Sequence, residues 1–353
     1  MMTTKSNRSL IGRSSIDRSR ALLLAILLLL LAASSVPQEL PSPIADARFQ
    51  DVTEDWTTPA LGTSHLIPVR PLVMPDKSHT GYTLDLLQVQ WRSGDPLDLY
   101  VLKPKDVKNP PVILYLFGYP TDTDIFKNDV FQEAVTKDGF AAVGFVSALT
   151  GSRYHDRPLK QWFLSELQES LGESAHDVQM VLNYLDTRGD LDMSRVGMFG
   201  QGSGGSIAIL ASAVDQRIKV LDVLDPWGDW PIWMAESPFV PENERPDYVK
   251  ADFLKNAAKL EPVDWLAKLQ AKKFRFQDAV TDAKTPKEAK EKLRAAAPQG
   301  TTFVFYKTAD EFAAAYPPSS MNLEWMQHEL RSLPETAESS ARPPFGSGHP
   351  SKK

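Results

Sequence analysis

Few residues of this 353-residue chain have both the chemistry and the setting for covalent work. They gather around Arg195-Val-Gly-Met-Phe-Gly-Gln-Gly-Ser-Gly-Gly-Ser206. An apolar strand runs there into a cluster of glycines and then into the apolar, helix-compatible segment Ile207–Ala213. A strand, a tight turn and a helix in that order can carry a Gly-x-Ser-x-Gly bend, in which small residues let the backbone lift a serine hydroxyl above a sheet as a nucleophile. Acyl transfer then needs a histidine to take and return the proton, and a carboxylate to orient that histidine. In this chain the phase is shifted by one. If Gly200 and Gly204 are the flanking glycines, Gly202 stands at the nucleophile position. Ser203 falls one residue later, where a backbone N–H at the first helical turn ordinarily helps to build an oxyanion hole.

The six histidines offer few candidates for a base. His65 and His79 lie in a proline-rich lead-in, His349 in the tail, and His176 on a helix expected to pack against the sheet. Leu323, Met326, Leu330 and Leu333 form one stripe on the last helix, and His328 projects from the opposite side. His155, in Gly151-Ser-Arg-Tyr-His-Asp156, is the one histidine on a loop expected near an active-site rim.

Positioning such groups needs a large core, which a chain with 42% hydrophobic residues can bury. A net charge of −6, with no basic block beyond the N-terminus, disfavours a nucleic-acid partner. The absence of cysteine excludes disulfides, thiolate zinc sites and a cysteine nucleophile. No His/Asp/Glu cluster has metal-ligand spacing. Residues 200–205 lack both the lysine of a phosphate loop and the glycine spacing of a dinucleotide loop, so no metal or cofactor is expected.

Lys5, Arg8, Arg13, Arg18 and Arg20 precede the apolar run Ala21–Ala33, and small residues follow through Ser35. That is the layout of a secretory signal peptide over residues 1–35, and it implies export, periplasmic or secreted, with no membrane attachment once the signal is removed. The run is short of the roughly 20 residues that span a bilayer; an uncleaved anchor is the alternative. Ala45-Asp-Ala47 offers a second small-x-small junction.

Prolines break residues 36–81 into an extended lead-in. Two antiparallel strands, Leu84–Trp91 and Leu97–Leu102, are then expected, followed by continuous apolar strands at Val112–Phe117, Ala141–Val146, Val196–Phe199 and Val220–Leu224. Helix-compatible stretches such as Phe126–Lys137 separate them, which predicts a parallel sheet covered on both faces. Between residues 225 and 270, Trp227, Trp230, Trp233 and several prolines mark a small helical cap insertion. Core packing is the simpler role for these tryptophans; the other is a pocket wall. Phe274–Phe276 and Phe303–Tyr306 close the sheet. Thr285-Pro-Lys-Glu288 matches a capping box with proline at the first helical position. The domain is expected over 82–333 and a disordered tail over 334–353.

This order of elements resembles the α/β-hydrolase superfamily, in its dienelactone-hydrolase-like, acetyl-xylan-esterase-like and prolyl-oligopeptidase-like branches, over Tyr82–Leu333. Leu116-Phe-Gly118 is similar to the oxyanion turn, which implies backbone roles for Gly118 and Tyr119. Leu191-Asp-Met-Ser-Arg-Val-Gly-Met-Phe-Gly200 resembles the approach to the nucleophile, and Leu224-Asp-Pro-Trp227 a following strand end. Asp282-Ala-Lys-Thr-Pro286 resembles the segment that carries the acid, with Asp225 a second candidate; the alternative role of Asp282 is to cap the next helix. The resemblance also places a histidine after the last strand, where this chain reads Tyr306-Lys-Thr-Ala-Asp-Glu-Phe312. Two functions follow. One is a degraded, non-catalytic member that keeps its pocket for a small-molecule ligand. The other is a serine hydrolase on an ester, acyl or peptide-like substrate, using Ser203 as a displaced nucleophile with Asp282 and a non-standard, unidentified base for which His155 is a candidate.

Overall fold

The computed structural model describes residues 54–62, 71–74, 79–92, 94–120, 123–149, 153, 163–317 and 322–334. The expected signal peptide, His65, His155, His349 and the tail lie outside these residues. Strands β1 (Leu72–Val73), β2 (Tyr82–Val89), β3 (Leu97–Pro104), β4 (Pro111–Leu116), β5 (Ala141–Phe145), β6 (Asp192–Gln201), β7 (Ile218–Leu224), β8 (Lys273–Ala279) and β9 (Thr302–Tyr306) form one sheet. Their order is β1-β2-β3-β5-β4-β6-β7-β8-β9. The first three strands and β5 are joined antiparallel, and β5, β4, β6, β7, β8 and β9 run parallel. The four continuous apolar segments read from the sequence are therefore parallel neighbours at the centre.

They are apolar but for Asp222, which is buried in β7 and paired with Arg275 at 2.6 Å, because both faces are covered. In β4, Val112, Leu114 and Leu116 point into one buried cluster and Ile113, Tyr115 and Phe117 mark the other. Helices α2 (Leu167–Arg188) and α3 (Ser203–Val214) supply the first cluster through Leu171, Val178, Leu182, Ile207 and Leu210. Helices α1 (Asp129–Thr136) and α10 (Glu324–Arg331) supply the second through Phe131, Val135, Met326 and Leu330. Between β7 and β8 lie four short helices: α4 (Trp230–Glu236), α5 (Arg245–Tyr248), α6 (Ala251–Ala257) and α7 (Pro262–Leu266). After β8 come α8 (Lys287–Ala296) and, following β9, α9 (Ala309–Ala315).

Several boundaries differ from the sequence reading for local reasons. The expected helix Phe126–Lys137 breaks at Asn128, whose side chain accepts from Val130 N and Phe131 N and so starts α1 afresh. The expected capping box at Thr285 does not form. Pro286 precedes the helix, and Asp282 instead accepts from Lys284 N at 2.9 Å and Thr285 N at 3.3 Å. The helix α9 was not anticipated; Thr308 caps it through Glu311 N. The lead-in also carries more structure than an extended segment. Besides β1, residues 54–61 dock on α2, where a Cβ at Gly172 would meet Trp56 O at 2.3 Å.

That docking rests on a buried charge cluster. Arg92 pairs with Glu54, Asp95, Glu173 and Asp177, while Arg153 pairs with Asp95, Glu173 and Asp177. His176, only 1% exposed, sets Nδ1 2.8 Å from Glu54 Oε2 and Nε2 3.0 Å from Thr58 O. It is a fully engaged helix residue, far from a catalytic role.

Candidate active site

The bend between β6 and α3 is where sheet geometry and glycine chemistry meet. Gly202 has φ 55° and ψ −122°, a conformation that L side chains adopt only under strain. Its N–H donates to Leu224 O at 3.0 Å and its carbonyl accepts from Ser206 N and Trp227 N. The flanking glycines are required by close packing. A Cβ at Gly200 would lie 2.5 Å from Gly204 O, and one at Gly204 would lie 2.1 Å from Leu116 O. A Cβ at Gly202 itself meets nothing nearer than Trp227 Nε1 at 3.4 Å. The bend thus has the backbone and the room for a side chain, and carries none.

Ser203 follows as the first residue of α3. It is 2% exposed, and its Oγ accepts a hydrogen bond from Tyr119 N at 2.8 Å. Its hydroxyl therefore points into the fold and occupies a backbone donor of the Gly118–Tyr119 turn. A cleft of about 590 Å³ opens at the C-terminal ends of the parallel strands. Gly118, Tyr119, Gly202, Asp225, Trp227 and Asp282 all line it, whereas Ser203 is not among its lining residues. Of the sequence candidates, then, the cleft brings together both acids, the oxyanion-turn residues and the empty bend. No described histidine lines it; His328 is exposed on α10, its side chain 79% accessible. Past β9, the position expected for the base holds Lys307, Thr308 and α9, and from α9 Phe312 reaches the cleft wall.

Lys290 was missed by sequence reasoning. It projects from α8 into the acids, with Nζ 2.9 Å from Asp278 Oδ1, 3.0 Å from Asp282 Oδ2 and 3.3 Å from Asp225 Oδ1. Arg294 completes the group by pairing with Asp278. Burial pulls the Lys290 pKa down, but the charges of Asp225, Asp282 and Asp278 outweigh it and hold the ammonium above the ordinary lysine value. Both candidate triad acids thus already hold a cation. A weak signal existed in the sequence: Ala289 and Leu293 define the buried side of α8, and Lys290 is adjacent to it.

Asp225 sits at the end of β7 with φ 47°, and its Oδ1 accepts from Ala279 N at 2.9 Å. Burial, with the nearby charges of Asp282 and Asp278, raises its pKa to about 7 in spite of Lys290. Trp227, 1% exposed, packs on Trp233 with ring centroids 4.8 Å apart and turns its indole edge to Gly202. It both packs the cap and walls the cleft. Glu261 ties the cap together, accepting from Asp229 N and Trp230 N at 2.7 Å each and Val263 N at 3.2 Å. Burial nevertheless raises it to about 7.

These two shifts set a pH dependence. Between about pH 4 and about pH 7 the folded chain keeps protons on Asp225 and Glu261 that the unfolded chain has released, so stability falls as pH rises through that window. Glu54 and Asp190 are both lowered to about 2: their hydrogen bonds, from His176 and Arg92 and from Arg188 and Lys103, overcome the opposing effect of burial. Their contribution is present above the ordinary carboxylate range and fades as pH falls toward 2. The melting temperature is expected to be higher at about pH 5 than at about pH 8, with Glu261→Gln flattening the slope. Calorimetry showing a rise over that interval would contradict this assignment.

No protein-family model matches the sequence. The Bacillus subtilis (strain 168) protein described as "Putative hydrolase YtaP" is 26% identical over 138 residues, covering 34% of this chain and 45% of that protein. The match therefore spans less than half of the relative's length. Among solved structures, the acetyl xylan esterase from Paenibacillus sp. R4 has a TM-score of 0.57 at 14% identity, covering 74% of this chain and 89% of that one. Acetyl xylan esterase 1 from Thermoanaerobacterium sp. JW/SL YS485 has a TM-score of 0.54 at 15% identity, covering 75% and 89%. At these identities the likeness is one of fold, and the chain has the α/β-hydrolase fold.

Proposed function

We propose that this protein is a non-catalytic descendant of serine hydrolases that keeps its cleft as a binding site for a small molecule. The observation that carries the reading is the pair Gly202 and Ser203: the bend bears no hydroxyl, and the neighbouring hydroxyl is buried against Tyr119 N. The occupied acids add to it, since Lys290 holds both Asp225 and Asp282. The test is reaction of the purified full chain with a fluorophosphonate probe. No labelled serine is expected. Labelling of Ser203, lost in Ser203→Ala, would instead establish a displaced nucleophile and end the non-catalytic reading.

We further propose that the protein is exported. The support is the basic, apolar, small layout of residues 5–35. No helix among the described residues is long and apolar enough to cross a membrane. N-terminal sequencing of protein from the exported fraction is expected to start after Ala33; full-length chain in the membrane fraction would favour an uncleaved anchor.

A further inference from the structure

Once Asp225 is ionised, the charges at the floor of the cleft do not balance. Asp225, Asp278 and Asp282 converge on Lys290, and Arg294 adds a second cation on the far side of Asp278. Three carboxylates thus share two cations. The groups facing Asp225 are Asp278 and Ala279 N–H from β8, Asp282 from the following loop and Lys290 from α8. Of the other charges at the cleft, Asp124 is matched by Lys127, and both are exposed. Lys284 stands at the rim with its ammonium 5.4 Å over the Phe239 ring, where solvent screens it.

The rest of the wall is aromatic. Phe117, Phe131, Trp227, Phe312 and Tyr316 line the cleft, and faces of this kind attract a cation as well as a flat ring. A volume of about 590 Å³ suits a small organic molecule.

Resting on the non-catalytic reading, we propose that the cleft binds a small aromatic amine, its ammonium at Asp225 and Asp282 and its ring against the aromatic wall. The ligand supplies the third cation that the floor lacks. Its arrival favours the ionised form of Asp225, which burial otherwise keeps protonated up to about pH 7. Binding should accordingly tighten as pH rises through that value, while the ligand ammonium stays charged.

The probes are 2-phenylethylamine, 2-phenylethanol and phenylacetate, titrated calorimetrically into the full chain at about pH 5.5 and about pH 8. At the higher pH the amine is expected to bind about tenfold or more tighter than the alcohol, and phenylacetate weakest. The preference should shrink several-fold at the lower pH. Asp225→Asn should remove the pH dependence and Asp282→Asn should weaken amine binding; circular dichroism checks that each variant is folded. Equal binding of amine and alcohol, tighter binding of phenylacetate, or an amine preference unchanged in both variants would overturn the amine assignment while leaving a binding cleft. Binding of none of the three overturns it also. Labelling of Ser203 in the fluorophosphonate test would overturn the underlying reading independently.

Discussion

Gly202→Ser alone is expected to leave p-nitrophenyl acetate turnover at the wild-type level. The new Cβ has space, the nearest atoms being Trp227 Nε1 at 3.4 Å and Gly118 Cα at 3.7 Å, though the φ of 55° strains any L residue there. Among the described residues no histidine lines the cleft to serve the hydroxyl as base, and none stands between Lys307 and Phe312. General-base assistance is worth on the order of 10² to 10⁴ in rate, so a serine without it stays near background. Adding Ala309→His or Asp310→His supplies the base at the start of α9. The gain should remain partial while Lys290 holds Asp282, the group needed to orient the imidazole. Lys290→Met introduced together with Asp225→Asn, which removes one of the surplus carboxylates, should release the rest. The order of rates across this series is the measurement. A single Gly202→Ser variant already well above wild type would show that some group of the chain, His155 among the candidates, acts as base.

Lys290→Met in the otherwise unchanged protein is expected to cost about 3 to 5 kcal/mol of stability at neutral pH, the usual penalty for removing one partner of a buried charge group. Three aspartates would be left with Arg294 alone, and Asp225 and Asp282 would face each other without a cation. The loss should shrink in mild acid, as the crowded carboxylates take up protons. Asp225→Asn should recover part of it at neutral pH. Urea unfolding of the four proteins at two pH values checks this. A loss under about 1 kcal/mol would mean that water replaces the ammonium at little cost.

The central sheet was legible because its strands are buried on both faces and so read as unbroken apolar runs; Val112–Phe117 and Val196–Phe199 needed no tertiary information. The tight glycine bend at Gly202 was legible too, since the glycine spacing follows from local packing of α3 on β4. What could not be read was anything set by residues distant in sequence. Lys290 meets Asp225 across 65 positions, and no local pattern marks a lysine on a helix as buried. Thr285 looked like a helix cap, yet Pro286 holds that position, and Asp282 turns the chain just before it by accepting from Lys284 N and Thr285 N. The lead-in's prolines pointed to an extended segment, and they hid the few residues, Glu54 to Leu61, that dock on the domain.

Those few residues bear on how far the chain can be shortened. Glu54 meets both Arg92 and His176, and Gln179 grips Leu61 N and Pro59 O. Cleavage at either small-residue junction, after Ser35 or after Ala47, would leave this segment on the chain. A protease that trimmed further would have to lift the Trp56 backbone off Gly172 and strip the His176 imidazole of its partners Glu54 and Thr58 O. The folded domain thereby needs the chain from Glu54 onward, well before its first long strand.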